Sequence, residues 1–247
     1  LRRPFPRHFV RRLTGETVTA LDRRAKYLVA TLSSGETLLM HLGMSGWFRV
    51  EPRNGRRARK HDRNADLENR HDHVIFAMSS GQAVIFNDPR RFGMMDLVPA
   101  AKLVGHGSLG PMGPEPLARA FDARALASRV ANRRVALKVA LLDQQVVAGI
   151  GNIYASEALH LARLSPFREA STIATAAGAP RAAAARLATA VKAVLRRAIA
   201  LKESARYRDS RFRVYDREGD PCVTPGCRGT IARVTQAGRS TFYCPVC

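Results

Sequence analysis

The first 221 residues of this 247-residue chain contain no cysteine, and all four cysteines lie between positions 222 and 247. That distribution excludes a disulfide framework threaded through the body of the fold, as a small secreted scaffold would carry. Acidic residues are scarce: 20 Asp and Glu face 41 Lys and Arg, giving a formal net charge of +21. Such an excess must face a polyanion or accept large self-repulsion, and nucleic acid is favoured over an anionic membrane surface. Arg outweighs Lys and Ala is abundant, so part of the charge reflects a GC-rich genome. Apolar runs near the roughly 18 residues of a membrane span are missing, so no membrane partner is expected. A secretory signal is also missing, and with the clustered thiols this points to a cytoplasmic location. An initiating Met is lacking too. Leu1 is not a residue that methionine removal exposes, so a missing N-terminal segment is expected.

Apolar residues make up 46% of the chain, enough for two moderate domains and a small metal-held module. Residues 1–98 read as strands. Tyr27 to Leu32 and Thr37 to Leu42 flank a Ser33-Ser-Gly-Glu turn, and Val74 to Met78 and Ala83 to Phe86 flank Ser79-Ser-Gly-Gln. Near-continuous apolar runs predict strands packed between layers, as in a β-sandwich. Residues 51–70 hold seven Lys or Arg and four Asp or Glu without apolar period, which predicts a solvated, mobile loop. Residues 99–113, rich in Gly and Pro, predict a linker. Helices are expected over Phe121–Val130, Ala136–Val147, Asn152–Ala162 and Arg181–Glu203, the last with a Leu187, Val191, Val194, Leu195, Ala198, Ile199 core stripe. The class is therefore α+β, with domains at 1–98, 114–205 and 206–247.

The cysteines are spaced C-x4-C, sixteen residues, then C-x2-C. Two close pairs across a hairpin-length gap can set four thiolates around Zn²⁺. Zinc on Cys222, Cys227, Cys244 and Cys247 is favoured over two disulfides or free thiols in an ordinary core. Arg239 would sit at or beside the hairpin tip. Upstream, Gly149-Ile-Gly151-Asn152 puts two glycines and a capping amide at a helix start, which suits an anion. It suits a plain helix–turn–helix connection equally. Residues 206–221 interleave Arg206, Arg208, Arg211, Arg213 and Arg217 with Tyr207, Phe212 and Tyr215, as a nucleic-acid surface or a solvated linker would.

Several stretches are more particular: Arg24-Ala-Lys26-Tyr-Leu, His41-Leu-Gly-Met-Ser-Gly46, His71-Asp-His73, Asn87-Asp-Pro-Arg90-Arg-Phe92-Gly93, Leu141 through Glu157, and the Gly238-Arg-Ser-Thr-Phe-Tyr-Cys finger. Together, in this order, they resemble the formamidopyrimidine-DNA glycosylase family across nearly the whole chain. The resemblance implies an N-terminal antiparallel β-sandwich, a helix–two-turn–helix domain and a C-terminal zinc finger, with double-stranded DNA in the cleft between domains. It implies excision of oxidised purines such as 8-oxoguanine, then cleavage of the abasic strand by β,δ-elimination. A base inside a duplex must be flipped out and the hole filled. The resemblance gives hole-filling to Met44, Arg90 and Phe92, and phosphate contacts to His71, Arg90, Arg133, Lys138 and Asn152. Lys26 matches a lysine that assists chemistry at the damaged nucleotide. Arg239 matches the arginine that contacts the phosphate beside the lesion and serves δ-elimination. A monomer is expected.

Three features depart from the family pattern. The family nucleophile is an N-terminal proline followed by glutamate, and neither is present. The stretch between Leu201 and Arg213 is shorter than the family's loop over the flipped base. The first cysteine pair is C-x4-C where C-x2-C is more usual. The chain as written is therefore expected to bind damaged or abasic DNA weakly, with little lyase activity. Two alternatives accompany this: a non-catalytic damaged-DNA-binding paralogue, and an endonuclease VIII-like enzyme for oxidised pyrimidines. A sequence-reading transcription factor is disfavoured, because one four-cysteine hairpin offers no base-reading helix.

Overall fold

The computed structural model describes residues 1–52, 70–203 and 212–247. The expectation of a mobile loop therefore falls, apart from its ends, outside the described residues. So do Arg206, Tyr207, Arg208 and Arg211, and most of the short stretch between Leu201 and Arg213. The chain forms two compact units, Leu1–Gly110 and Pro111–Cys247.

Unit 1 opens with a one-turn helix, α1 (Phe9–Leu13), and then builds seven strands in two antiparallel sheets. In the first sheet, β1 (Val18–Arg24), β2 (Tyr27–Leu32) and β3 (Glu36–His41) run side by side, and β7 (Met94–Pro99) pairs with the far edge of β3. The second orders β4 (Trp47–Pro52), β6 (Gln82–Asn87) and β5 (Asp72–Ala77). Strand β3 buries Thr37 through Met40 on both faces, which explains its unbroken apolar run. Phe9, Leu32, Leu38, Met40, Phe86, Met95 and Leu97 form the core, with Phe48, Val74 and Phe76 against it. Strand β1 is an edge strand exposed along almost its whole length. Its sequence lacks the apolar alternation that would have announced it.

Unit 2 comprises α2 (Ala123–Val130), α3 (Leu137–Leu142), α4 (Asn152–Leu161), α5 (Ala182–Glu203) and a hairpin of β8 (Ala232–Gln236) and β9 (Arg239–Tyr243). Asp122 caps α2, its Oδ1 accepting from the Ala125 N–H at 2.7 Å. The core gathers Phe121, Leu126, Leu141, Ile150, Leu159 and Leu187. The α5 stripe holds at Leu187 and Val191, but Ile199 is exposed.

The helix expected over Ala136–Val147 is shorter than expected. It ends at Leu142, because Asp143 turns extended and accepts from the Gln145 N–H at 2.9 Å. Gln144 then fastens the turn. Its amide donates to Leu142 O and Ile150 O at 3.0 and 3.2 Å and accepts from the Gly149 N–H at 2.8 Å. This turn delivers the chain to the start of α4.

Candidate nucleic-acid interface and zinc centre

The hairpin's four Sγ atoms lie within 4.8 Å of one another. Cys222–Cys247 and Cys227–Cys244 are each 3.6 Å apart. Ligands about 2.3 Å from a tetrahedral zinc would be separated by roughly 3.8 Å, so the quartet fits the metal. Two sulfurs also receive backbone N–H bonds, Cys222 from Thr224 at 3.5 Å and Cys227 from Gly229 at 3.4 Å. A Cβ on Gly229 would stand 2.6 Å from Cys244 Sγ, so a side chain there would displace a ligand. Burial alone would raise the Cys222 thiol, but hydrogen bonds from Thr224, His160 and Cys247 bring it to about 5. Burial and the neighbouring thiols push Cys247 up to about 12. Metal uptake must therefore displace protons. The ion has a structural role here: it would hold the hairpin over a small core in which, among the described residues, Val214, Ile231, Phe242 and Cys244 are buried.

At the hairpin tip, Ala237 and Gly238 both have positive φ, 48° and 72°, making a two-residue turn that follows the strand twist. Arg239 begins β9 beside it, exposed. The next residue is held from below. Ser240 O accepts from Lys138 Nζ and from Asn152 Nδ2, both at 2.9 Å, and Thr241 Oγ1 accepts from Lys138 Nζ at 2.7 Å. Lys138 is only 1% exposed. Burial, with Arg239 nearby, lowers its ammonium to about 8. Gly151, not Asn152, is the cap of α4; Asn152 is the first helical residue and its amide serves the finger. Arg133 is half-buried and ion-paired with Asp143. The structure thus gathers Lys138, Asn152 and Arg239 around one strand start.

Glu157 was missed as a functional residue. Its buried carboxylate accepts from the N–H groups of Arg213, Val214 and Tyr215 at 2.9, 2.8 and 3.0 Å. It thereby fixes the segment entering the finger to α4. A carboxylate inside a helix reads in sequence as solvated charge, and only its place at the end of a quoted motif marks it.

Unit 1 brings Met44, Arg90 and Phe92 together on two adjoining loops. Met44 is 72% and Phe92 43% exposed, and the Arg90 guanidinium lies 4.9 Å over the Phe92 ring. A Cβ on Gly43 would stand 2.5 Å from the Phe92 carbonyl carbon, so the loops touch backbone to backbone. Asp88, fully buried, bolts them: it accepts from Ser45 Oγ and from the Gly93 N–H, each at 2.7 Å. Burial would raise this carboxyl, but the bonds from Ser45, Gly93 and Arg90 hold it below the usual range. His71 O accepts from the Asp88 N–H at 3.0 Å, and His73 Nε2 donates to Asp88 O at 2.9 Å. Asp72 between them is gripped by Arg49 at 2.7 and 2.6 Å. His71 is half-buried beside this bracket.

Lys26 lies exposed in the two-residue turn joining β1 to β2, one residue before β2 begins. His41 is half-buried against the Tyr27 ring, and its Nδ1 accepts from the Gly43 N–H at 2.9 Å. Burial first, then the charges of Lys26 and Arg2, lower this imidazole below its usual range.

The fold and its four-thiolate hairpin are those of a zinc-finger DNA-repair protein. Residues 1–95 match the formamidopyrimidine-DNA glycosylase N-terminal domain, 112–209 that family's H2TH domain, and 219–247 the zinc finger found in FPG and IleRS. A formamidopyrimidine-DNA glycosylase of Azorhizobium caulinodans is 52% identical, covering 100% of this chain and 88% of its own. One from Rhodopseudomonas palustris is 53% identical over the same shares. The Lactococcus lactis enzyme, solved bound non-covalently to DNA containing an abasic site, superposes with a TM-score of 0.80 at 29% identity, over 96% of this chain and 83% of that one. The Thermus thermophilus protein gives 0.74 at 35% identity, over 94% and 82%. The chain belongs to the formamidopyrimidine-DNA glycosylase family, a family of DNA glycosylases. Among the described residues no helix is long and apolar enough to cross a membrane.

Proposed function

We propose that this chain binds, as a monomer, double-stranded DNA carrying oxidised purines or abasic sites, and that together with the family's N-terminal proline and glutamate it excises 8-oxoguanine-type bases and opens the strand by β,δ-elimination. One observation carries the reading: two apolar side chains and a guanidinium stand exposed on loops fixed to one another by a buried carboxylate. Exposed apolar residues on so rigid a support suit insertion into a base stack. Met44 and Phe92 would fill the space a flipped nucleotide leaves, and Arg90 would hydrogen-bond the orphaned partner base. Complexes of the Lactococcus lactis relative with abasic and FAPY-dG DNA support the substrate class.

In the finger, the exposed Arg239 would meet the phosphate beside the lesion and stabilise charge on the departing phosphate during δ-elimination. Asn152, Lys138, Arg133 and His71 would contact flanking phosphates; Lys138 and Asn152 act chiefly by setting Ser240, hence Arg239. Lys26, exposed in the β1–β2 turn, would assist at the damaged nucleotide. The family's proline nucleophile and glutamate have no counterpart in these 247 residues, so covalent attack on the sugar is assigned to none of them. The test is borohydride trapping and base excision on a duplex with one 8-oxoguanine opposite cytosine, run on this chain and on one beginning with Met-Pro-Glu and the family's first helix. The reading expects an adduct and base release with the second and, with both, preference for the damaged duplex. Equal affinity for damaged and intact duplexes in both would overturn it, and retained abasic binding with no adduct in either would favour the non-catalytic paralogue.

A further inference from the structure

The longer C-x4-C knuckle has its own support, in a histidine that is not one of the four ligands. His160 lies two turns beyond Asn152 on the same face of α4, at 7% exposure. Its Nε2 is 3.4 Å from Cys222 Sγ, 3.8 Å from Cys247 Sγ and 3.3 Å from Thr224 Oγ1. Thr224 sits inside the Cys222–Cys227 knuckle, and its hydroxyl also lies 3.6 Å from Cys247 Sγ. The other ring nitrogen, Nδ1, is buried without a hydrogen-bond partner.

These contacts select one tautomer. With the proton on Nδ1, a buried donor would be left unpaired and the Nε2 lone pair would face two electron-rich sulfurs. With the proton on Nε2, the N–H points at sulfur and the unpartnered atom is only an acceptor. Thiolates bound to a metal are the better acceptors, since they keep negative charge and carry no S–H of their own. Ligand side chains tied by such outer hydrogen bonds are held in orientation, and losing the tie typically weakens metal affinity about 10–100-fold.

We propose that His160 is a positioning residue of the zinc centre, its Nε2–H donating to the Cys222 thiolate with Thr224 as co-partner, so that the metal site is fastened to α4. Helix α4 then holds the finger at two points. Asn152 grips Ser240 at one end, and His160 grips the Cys222 knuckle eight residues on, about 12 Å away at 1.5 Å per residue. A two-point attachment fixes the finger's rotation on the helix, which a single hydrogen bond cannot. The inference rests on the zinc site and not on the glycosylase reading, so the two can fail separately.

The test uses the zinc- or cobalt-loaded full chain. Nitrogen NMR of the zinc-loaded wild type should show His160 as the Nε2–H tautomer; an Nδ1–H tautomer overturns the proposal outright. In the cobalt-loaded protein, His160→Phe should move the sulfur-to-cobalt charge-transfer band to longer wavelength and lower zinc affinity in chelator competition about tenfold or more. His160→Gln, which can offer an N–H near the Nε2 position, should recover most of both. A role in packing alone predicts a lower Tm with the band unmoved, and that result refutes the proposal. Should His160→Phe fail to fold, Thr224→Val carries the same comparison: a smaller shift in the same direction supports the proposal, and an unmoved band opposes it.

Discussion

The two units hold their functional side chains in opposite ways. In unit 1 the groups proposed to enter the base stack, Met44, Arg90 and Phe92, are exposed, and a buried carboxylate on Asp88 braces the loops beneath them. In unit 2 the inward groups are a cation and an amide: buried Lys138 and half-buried Asn152 donate to Ser240 O, Lys138 also to Thr241, and Arg239 is the exposed tip. The first arrangement holds exposed apolar surface on a rigid support, as the proposed insertion would need. The second presents one cation, its position set by a small module that a metal must hold together. The difference teaches that residues of one expected role, phosphate contact, divide into those facing the ligand and those holding another residue toward it.

The sharpest way to break the comparison is to remove the metal. Chelation, or Gly229→Ala, should collapse the finger and lower abasic-DNA affinity by more than about 100-fold while leaving unit 1 folded. The single tryptophan, Trp47, lies in β4 of unit 1, so its unfolding transition should persist.

Next in size are the two buried carboxylates. Asp88→Ala leaves Ser45 Oγ and the Gly93 N–H unpaired and should destabilise unit 1 by about 3 kcal/mol, read from the Trp47 unfolding transition. The pH dependence has a definite sign. The folded-state pKa of Asp88 is depressed, so its contribution is present above the ordinary carboxyl range and lost as pH falls through the folded value. The stability gap between wild type and Asp88→Asn should therefore close in acid. Glu157→Ala strands three backbone N–H groups and should cost unit 2 about 2–4 kcal/mol, leaving the Trp47 transition unmoved.

A smaller effect concerns Lys138. Its folded pKa, about 8, lies below the unfolded value, so between the two the unfolded chain binds more protons and unit 2 gains stability as pH rises. The gain should be about 1–3 kcal/mol from pH 7 to 10, and Lys138→Met should abolish it. Smallest is the hairpin turn. Ala237 sits at φ 48°, which Asn tolerates better, so Ala237→Asn should stabilise the finger by about 0.5–1 kcal/mol in thermal melts.

Legibility followed the same division. Strand β2 is read to the residue, because Tyr27–Leu32 is a compact apolar run closed by a Gly-containing turn. Strand β1 is illegible, because an exposed edge has no burial pattern to impress on sequence. Helix α3 is read too long, because apolar period continues past Asp143 while its side chain has already turned the backbone. The zinc ligands are legible from spacing alone. Met44, Arg90 and Phe92 are legible only through the motifs around them, since an apolar side chain in isolation reads as core. Asp88, Glu157 and His160 are the least legible: each serves partners far along the chain, Ser45, Val214 and Cys222, which local pattern cannot connect.

The central claim is that the paired loops of unit 1 insert into damaged duplexes. The most direct measurement is the affinity of wild type and of a Met44→Ala, Phe92→Ala double variant for a duplex with one abasic-site analogue, against the same duplex intact. Both side chains are exposed, so the double variant should keep its Tm. The account predicts a preference for the abasic duplex of roughly tenfold or more in wild type and its loss in the variant, each apolar contact with the stack contributing about 1 kcal/mol. An equal preference in both proteins would contradict it.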